Sequence, residues 1–196
     1  MITVNFLLAG VGGQGTLLAT DILADVGLHV GADVKKSEVH GMSQRGGAVT
    51  SHVRWGVHVA SPLCEKGAVD YFIAQEMLEA LRWIEFIRPG GTVLLSRQQI
   101  VPTSTVYGTE QYPVDDHVIT VVKKAAGKVL LIDAKKTAEE LGNPRVANSV
   151  ILGALSAQME IPPNDWLATI EARVKQQHVE TNRKAFFIGR ERDWVS

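Results

Sequence analysis

The stretch Leu7-Leu8-Ala9-Gly10-Val11-Gly12-Gly13-Gln14-Gly15-Thr16 constrains this chain most: an apolar run breaks into four glycines over six residues before a helical pattern begins. Val4, Phe6, Leu7 and Leu8 put apolar side chains on both faces, as in a strand buried inside a parallel sheet. After Thr16, Leu18, Ile22 and Val26 recur at helical spacing with Ala19 and Leu23 beside them, and Gly27 closes the segment. A strand that reverses this sharply into a helix needs residues without a Cβ, because the backbone must turn tightly and approach a neighbour or a guest. The first amides of such a helix carry the positive end of its dipole and favour an anion.

The spacing Gly10-x-Gly12-x-x-Gly15 matches a dinucleotide-binding fingerprint, which also asks for an acid ending the second strand about 20 residues on. Asp33 falls near that window, in a poor strand pattern and followed by Lys35 and Lys36. Three readings stay open: a loop that cradles a phosphate or cofactor within a larger enzyme, a self-sufficient NAD site, and a turn that serves packing alone. A second glycine-bearing stretch, Gly41-Met42-Ser43-Gln44-Arg45-Gly46-Gly47, sets a hydroxyl, an amide and a guanidinium on a flexible frame. The Arg45 fork suits a phosphate or a carboxylate; it equally suits tying down its own loop through carbonyls. The two stretches are read as one site, with Gly10, Gly12, Gly13, Gln14 and Gly15 from the first and Ser43, Arg45, Gly46 and Gly47 from the second.

Along the rest of the chain, His29 to Val34 suggests a short strand and Lys35 to Gly47 a long polar loop. Ala48 to Trp55 alternates as a strand with one wetter face, and Val57-His58-Val59 follows as a short antiparallel partner. Tyr71 to Ala74 is a buried strand. Glu76 to Ile87 has helical spacing closed by Pro89-Gly90-Gly91, and Thr92 to Leu95 is a strand. Pro102 to Tyr112 shows no period. Asp115 to Ala126 is β-branched at its centre, yet Asp115 and Asp116 at its start and Lys123 and Lys124 at its end read as a helix. Lys128 to Asp133 is a strand, and Lys136–Leu141, Pro144–Met159, Asn164–Gln176 and Glu180–Ile188 complete a helical C-terminal third. Within it, Val146, Val150, Gly153, Ala154 and Ala157 form a small-residue face for close packing. Strands alternating with helices predict a three-layer α/β/α Rossmann-like fold with a mostly parallel (mixed) sheet, built as a single domain over residues 1–196.

Charge and composition remove several function classes. A formal net charge of −1 gives no basic surplus for nucleic acid. The lone Cys64 excludes an internal disulfide, an iron–sulfur cluster and any zinc site that needs several thiolates from this chain. It also points to the cytosol. No apolar run is long enough for a membrane span, and the N-terminus reads as a strand, not a signal peptide. His52 and His58 both fall on expected strands without an acid or thiol at ligand spacing, so no metal site is expected. His40 beside Gly41 is a candidate proton carrier or an exposed ring. Phe186-Phe187 and Trp194 read as core of a final helix, with a docking surface as the alternative. The chain has no Gly-x-Ser-x-Gly elbow, no P-loop lysine and no Schiff-base pocket motif. It carries a loop built for binding and no catalytic set.

Gly10-Val11-Gly12-Gly13-Gln14-Gly15 followed by Ser37-Glu38-Val39-His40-Gly41-Met42-Ser43-Gln44-Arg45-Gly46-Gly47 resembles the gamma subunit of 2-oxoacid:ferredoxin oxidoreductases, most closely the type in indolepyruvate enzymes. Glu79-Ala80, Pro89-Gly90-Gly91, Ala138-x-x-Leu141-Gly142-Asn143, Asn148-x-x-x-Leu152-Gly153-Ala154-Leu155 and Asn182-x-Lys184-Ala185-Phe186 extend the likeness over nearly the whole chain. The resemblance implies one part of an assembly whose partner chains hold thiamine diphosphate, magnesium and iron–sulfur clusters. That assembly decarboxylates a 2-oxoacid oxidatively and delivers acyl-CoA, CO2 and electrons to ferredoxin. This chain would hold none of those cofactors, be inactive alone, support the thiamine-bearing chain and shape the approach of coenzyme A. The isolated chain is open to pairing as a homodimer. A free-standing CoA- or NAD-binding regulator and a purely structural subunit are the rival readings.

Overall fold

The computed structural model describes residues 3–40, 47–102 and 111–194, the His40 side chain excepted. Its strands are β1 (Val4–Val11), β2 (Asp33–His40), β3 (Ala48–Gly56), β4 (Val69–Ala74), β5 (Ile87–Ser96) and β6 (Lys128–Ile132). Its helices are α1 (Thr16–His29), α2 (Met77–Trp83), α3 (Asp115–Ala125), α4 (Ala134–Glu140), α5 (Ala147–Ser156), α6 (Pro163–Arg173) and α7 (Val179–Glu191). The strands form one sheet in the order β2-β3-β1-β4-β5-β6. β1, β4, β5 and β6 run parallel, and β3 lies antiparallel between β1 and β2. The mostly parallel, mixed sheet is therefore as expected.

Because side chains alternate along a strand, each core strand feeds two layers. Phe6, Leu8, Val53, Trp55, Ile73 and Leu94 pack under α1 and the C-terminal helices α4 to α7. Leu7, Ala9, Phe72, Ala74, Val93 and Leu95 pack on the other side against Met77 and Ala80 of α2 and Val118 and Val122 of α3. The β-branched segment 115–125 is the expected helix. Its first turn holds Asp115 and Asp116 and its last Lys123 and Lys124, matching the helix dipole at both ends.

The small-residue face of α5 meets α7 at backbone contact. A Cβ added at Gly153 would lie 2.0 Å from the Phe186 carbonyl oxygen, and one at Gly189 2.0 Å from that of Val150. Phe186 and Trp194 are buried, as core rather than a docking surface. The Trp194 indole N–H donates to Gly189 O at 2.7 Å, and the Leu131 N–H donates to Trp194 O at 3.1 Å.

Three expectations change. β2 is not confined to the segment ending at Val34; it runs from Asp33 through His40 in unbroken register with β3, from Asp33↔Gly56 to His40↔Val49. Its alternation of Lys, Ser and Glu reads as loop only if both faces must be covered, and an edge strand leaves much of itself to solvent. Val57–Val59 is not a strand. The Val59 N–H donates to Asp33 Oδ2 at 2.8 Å instead of entering a ladder, so His58 sits on an exposed loop. Pro89-Gly90-Gly91 do not close a helix: α2 ends at Trp83, a short 3-10 turn covers Ile84–Phe86, and the three residues lie within β5. Gly90 takes φ 78° there, beside a register shift between Val69 and Tyr71. Residues 103–110, which showed no pattern, lie outside the described residues. Among the described residues no helix is long and apolar enough to cross a membrane.

Candidate functional site

The glycine turn sits where the sheet changes direction, between β1, whose next strand in sequence lies on one side, and β4 on the other. Crevices form at such switch points beyond the carboxyl ends of the strands. Gly13 and Gly15 adopt φ 102° and 72°, conformations that side chains resist. Gly10 meets a different demand. A Cβ there would lie 2.6 Å from Gln75 Oε1 and 2.8 Å from Gln14 Oε1, so the turn is sealed by side-chain amides from beneath.

Those amides form one network. Gln14 Oε1 accepts from the Val11 N–H at 2.7 Å, and Gln14 Nε2 donates to Gln75 O at 2.9 Å and Gln98 Oε1 at 3.1 Å. Gln75 Oε1 accepts from Thr16 Oγ1 at 2.5 Å, and Gln75 Nε2 donates to Asn148 Oδ1 at 2.5 Å. Asn148 Nδ2 reaches back to the turn, donating to Gln14 O at 2.8 Å and Gly15 O at 3.1 Å. β1, α1, β4, the segment after β5, and α5 are thus tied at one point. The sequence singled out Gln14 and quoted Asn148 within a motif without assigning it work. Gln75 and Gln98 carried no signal, because a lone glutamine after a strand looks like any surface residue.

Above this network opens a cavity of about 610 Å³, lined by Gly12, Gly13, Gln14 and Gly15 on one wall and by Lys135, Arg145, Ala147 and Asn148 on another. The described lining contains two cations and no histidine, cysteine, aspartate or glutamate. Gly15 precedes α1 and offers no side-chain cap, so the amino end of the helix borders this space uncapped. The amides of the turn are not all available. Gly12 N–H donates to Gly47 O at 2.9 Å and Gln14 N–H to Val11 O at 3.1 Å. Gly13 and Gly15 N–H have no acceptor among the described residues.

The Gly12–Gly47 bond joins the two glycine stretches that the sequence read together. Gly10, Gly12, Gly13, Gln14, Gly15 and Gly47 are therefore gathered. Ser43, Arg45 and Gly46 lie outside the described residues, as does the His40 ring. Asp33 opens β2 at the end of the sheet away from the glycine turn, where its carboxylate meets Lys35 and the Val59 N–H, with its pKa lowered mainly by the Lys35 contact. It cannot serve a ribose at the turn, and the NAD fingerprint lacks its acid.

Beside the cavity, the buried Glu76 caps α2 through the Glu79 N–H at 3.0 Å and accepts from the Ile100 N–H at 3.0 Å and from the Tyr112 hydroxyl. Burial, then this contact, raises the Tyr112 pKa and keeps the phenol protonated. Ile100 lines the cavity, so Glu76 fixes part of its wall. Elsewhere, buried Cys64 has its thiol pushed up to about 11 by desolvation, and it is inert. Among the described residues no group of three metal-ligating side chains occurs.

This geometry accompanies a match over residues 5–192 to the model of the pyruvate ferredoxin/flavodoxin oxidoreductase family. The chain belongs to that family. Subunit IorB of the Archaeoglobus fulgidus indolepyruvate oxidoreductase is 36% identical over 94% of this chain and 92% of that protein. In fold, the keto/oxoacid ferredoxin oxidoreductase gamma subunit of Geobacter sulfurreducens superposes with a TM-score of 0.70 at 24% identity, covering 96% of both chains. The 2-oxoglutarate:ferredoxin oxidoreductase of Magnetococcus marinus, solved with 2-oxoglutarate, coenzyme A and succinyl-CoA bound, gives 0.75 at 21% identity. That likeness covers 97% of this chain and 31% of the other. The chain is thus similar in sequence to the IorB subunit and in fold to a keto/oxoacid ferredoxin oxidoreductase gamma subunit.

Proposed function

We propose that this chain is a non-catalytic subunit of a cytoplasmic, thiamine-dependent aryl-2-oxoacid (indolepyruvate-type):ferredoxin oxidoreductase, acting as one domain that supports the thiamine-bearing chain and holds a phosphate of coenzyme A. The observation that carries the phosphate is the cavity over the glycine turn. Lys135 and Arg145 line it, no carboxylate enters the described lining, and the glycine turn that lines its other wall leads into a helix with no side-chain cap. Two cations with backbone donors match an anion's charge and its need for several hydrogen bonds. Arg45, Ser43 and Gly46 of the second glycine stretch complete this reading of the site.

In the same described lining no hydroxyl is hydrogen-bonded to a base and no histidine, cysteine, aspartate or glutamate is present, which supports chemistry residing in the partner chains. Those chains supply thiamine diphosphate, magnesium and iron–sulfur clusters, and ferredoxin takes the electrons. The 36% identity to an indolepyruvate subunit over nearly the full length of both chains supports the arylpyruvate assignment.

The test is reconstitution by co-expression with the thiamine-bearing chain. Arg145→Glu replaces a cation with an anion in the cavity lining. It is expected to raise the KM for CoA about ten- to hundred-fold, with the KM for the 2-oxoacid nearly unchanged. An unchanged CoA requirement in an assembled, folded complex refutes the phosphate assignment. Turnover by the purified chain alone refutes the non-catalytic one.

A further inference from the structure

β2 forms one edge of the sheet, and among the described residues only β3 pairs with it. It is eight residues long, Asp33 to His40, with continuous register and no proline or bulge. Edges of this kind accept another strand unless their side chains forbid it. Asp33, Lys35, Ser37 and Val39 lie on one face and Val34, Lys36 and Glu38 on the other. Val39 is 49% exposed, and near the middle of the strand Lys36 bridges Asp21 of α1 and Glu38, the latter at 3.1 Å.

We propose that β2 pairs antiparallel with β2 of a second copy of this chain, about a twofold axis through Ser37. A twofold axis perpendicular to a sheet keeps each face on its own side, so only residues of equal parity stand opposite one another. An axis through Lys36 would set lysine against lysine, and one through Glu38 carboxylate against carboxylate. Through Ser37 it sets Lys36 opposite the partner's Glu38 and Glu38 opposite the partner's Lys36, two opposite-charge pairs that join the Asp21–Lys36–Glu38 clusters of the two copies. It also lays each Lys35 stem across the partner's exposed Val39. Of the registers centred on Lys36, Ser37 and Glu38, these charges thus favour the one centred on Ser37. An eight-residue edge buries less than about 1,200 Å², so the dimer is of the weak, concentration-dependent kind. No residue of β2 is in the described cavity lining, and the pairing does not depend on the coenzyme A reading.

Ser37→Cys places identical thiols opposite each other across the axis, within the reach of a disulfide. The only native thiol, Cys64, is buried. Under mild oxidation of the full-length chain, Ser37→Cys is expected to give a covalent dimer about tenfold faster than Val39→Cys, whose thiols are offset. Sedimentation velocity of the parent should show a mass that rises with concentration and falls with added salt, and Glu38→Lys, still folded by circular dichroism, should weaken association about tenfold. Equal cross-linking at positions 37 and 39 would overturn the proposal, as would a monomer at every concentration. If Glu38→Lys leaves a monomeric parent unchanged yet loosens its union with the thiamine-bearing chain, the edge belongs to that chain and the self-pairing is refuted.

Discussion

Asn148 is the point at which the cavity can be tested without touching its cations. Its side chain makes three hydrogen bonds, two donated to the carbonyls of Gln14 and Gly15 and one accepted from Gln75. Asn148→Ala removes all three. At about 1 kcal/mol net for each, with water entering from the open cavity to offset part, the loss is about 2–3 kcal/mol. For a chain of this size that lowers Tm by roughly 5–10 °C. Asn148→Asp should be worse at neutral pH, although it is nearly isosteric. It retains an acceptor for Gln75 but turns a carboxylate toward two carbonyl oxygens that had received N–H donors. This environment would raise the introduced carboxyl's folded pKa above its unfolded value. The neutral form, which donates, then suits the fold, and stability relative to the parent recovers as pH falls through the folded pKa toward the unfolded one. Urea unfolding of parent, Ala and Asp chains at pH 7 and pH 4.5 measures all of this. If Asn148→Asp unfolds at the parent's midpoint at pH 7, or Asn148→Ala loses less than about 1 kcal/mol, the amide network does not hold the turn.

Other substitutions probe separate parts of the molecule. Gly153→Ala drives a methyl to within 2.0 Å of the Phe186 carbonyl, so α5 and α7 must separate; a loss of about 3 kcal/mol or failure to fold is expected, and a Tm within a degree or two of the parent would refute the backbone contact. His52 is buried, accepts from the Cys64 N–H at 3.2 Å, and has its pKa lowered by desolvation. Its neutral form suits the fold, so its contribution is present above the unfolded pKa near 6.5 and is lost as pH falls below it. His52→Gln should flatten that limb of a stability–pH profile measured by urea unfolding, and an unchanged slope would sink the assignment. Lys135→Ala should add to the CoA defect of Arg145→Glu in the reconstituted complex, because both cations face one cavity; steady-state kinetics that show no further rise in the CoA KM would separate Lys135 from the site.

Much of the architecture was legible because its signals are local. The apolar run before Gly10 and the four-residue recurrence after Thr16 each fix an element by its own pattern; the alternation from Ala48 found β3, although Thr50 and His52 on its expected wetter face are buried. Asp115, Asp116, Lys123 and Lys124 decided a helix against β-branched propensity, since charge at both ends outlasts a weak preference at the centre. β2 was misread because edge strands do not need the apolar period that betrays central ones. Val57–Val59 was misread because a single remote carboxylate, Asp33, can take the N–H that a partner strand would have taken. In the site, Gly10 to Gly15 were visible because positive φ and close approach leave few residues to choose from. Lys135 and Arg145 were invisible. Nothing in a local pattern says that the start of α4 and the turn before α5 arrive at the same cavity as a loop more than a hundred residues earlier.

That arrival also bears on how an anion would be held. A phosphate-binding loop ordinarily aims a succession of N–H groups at its guest. Here Val11, Gly12 and Gln14 donate within the protein, two of them to neighbours in the same turn and one to Gly47. The turn is therefore too committed to its own stability to do the work alone, and among the described residues the charge comes from Lys135 and Arg145 on the C-terminal third. Such a division has a testable kinetic form. Backbone donors fix the position of a guest, whereas exposed cations attract it through solvent and are screened by salt. In the reconstituted complex the CoA KM of the parent should climb with ionic strength, and that dependence should flatten in the Lys135→Ala, Arg145→Ala double variant. A CoA KM indifferent to salt in the parent would mean that the two side chains line the cavity without serving the site.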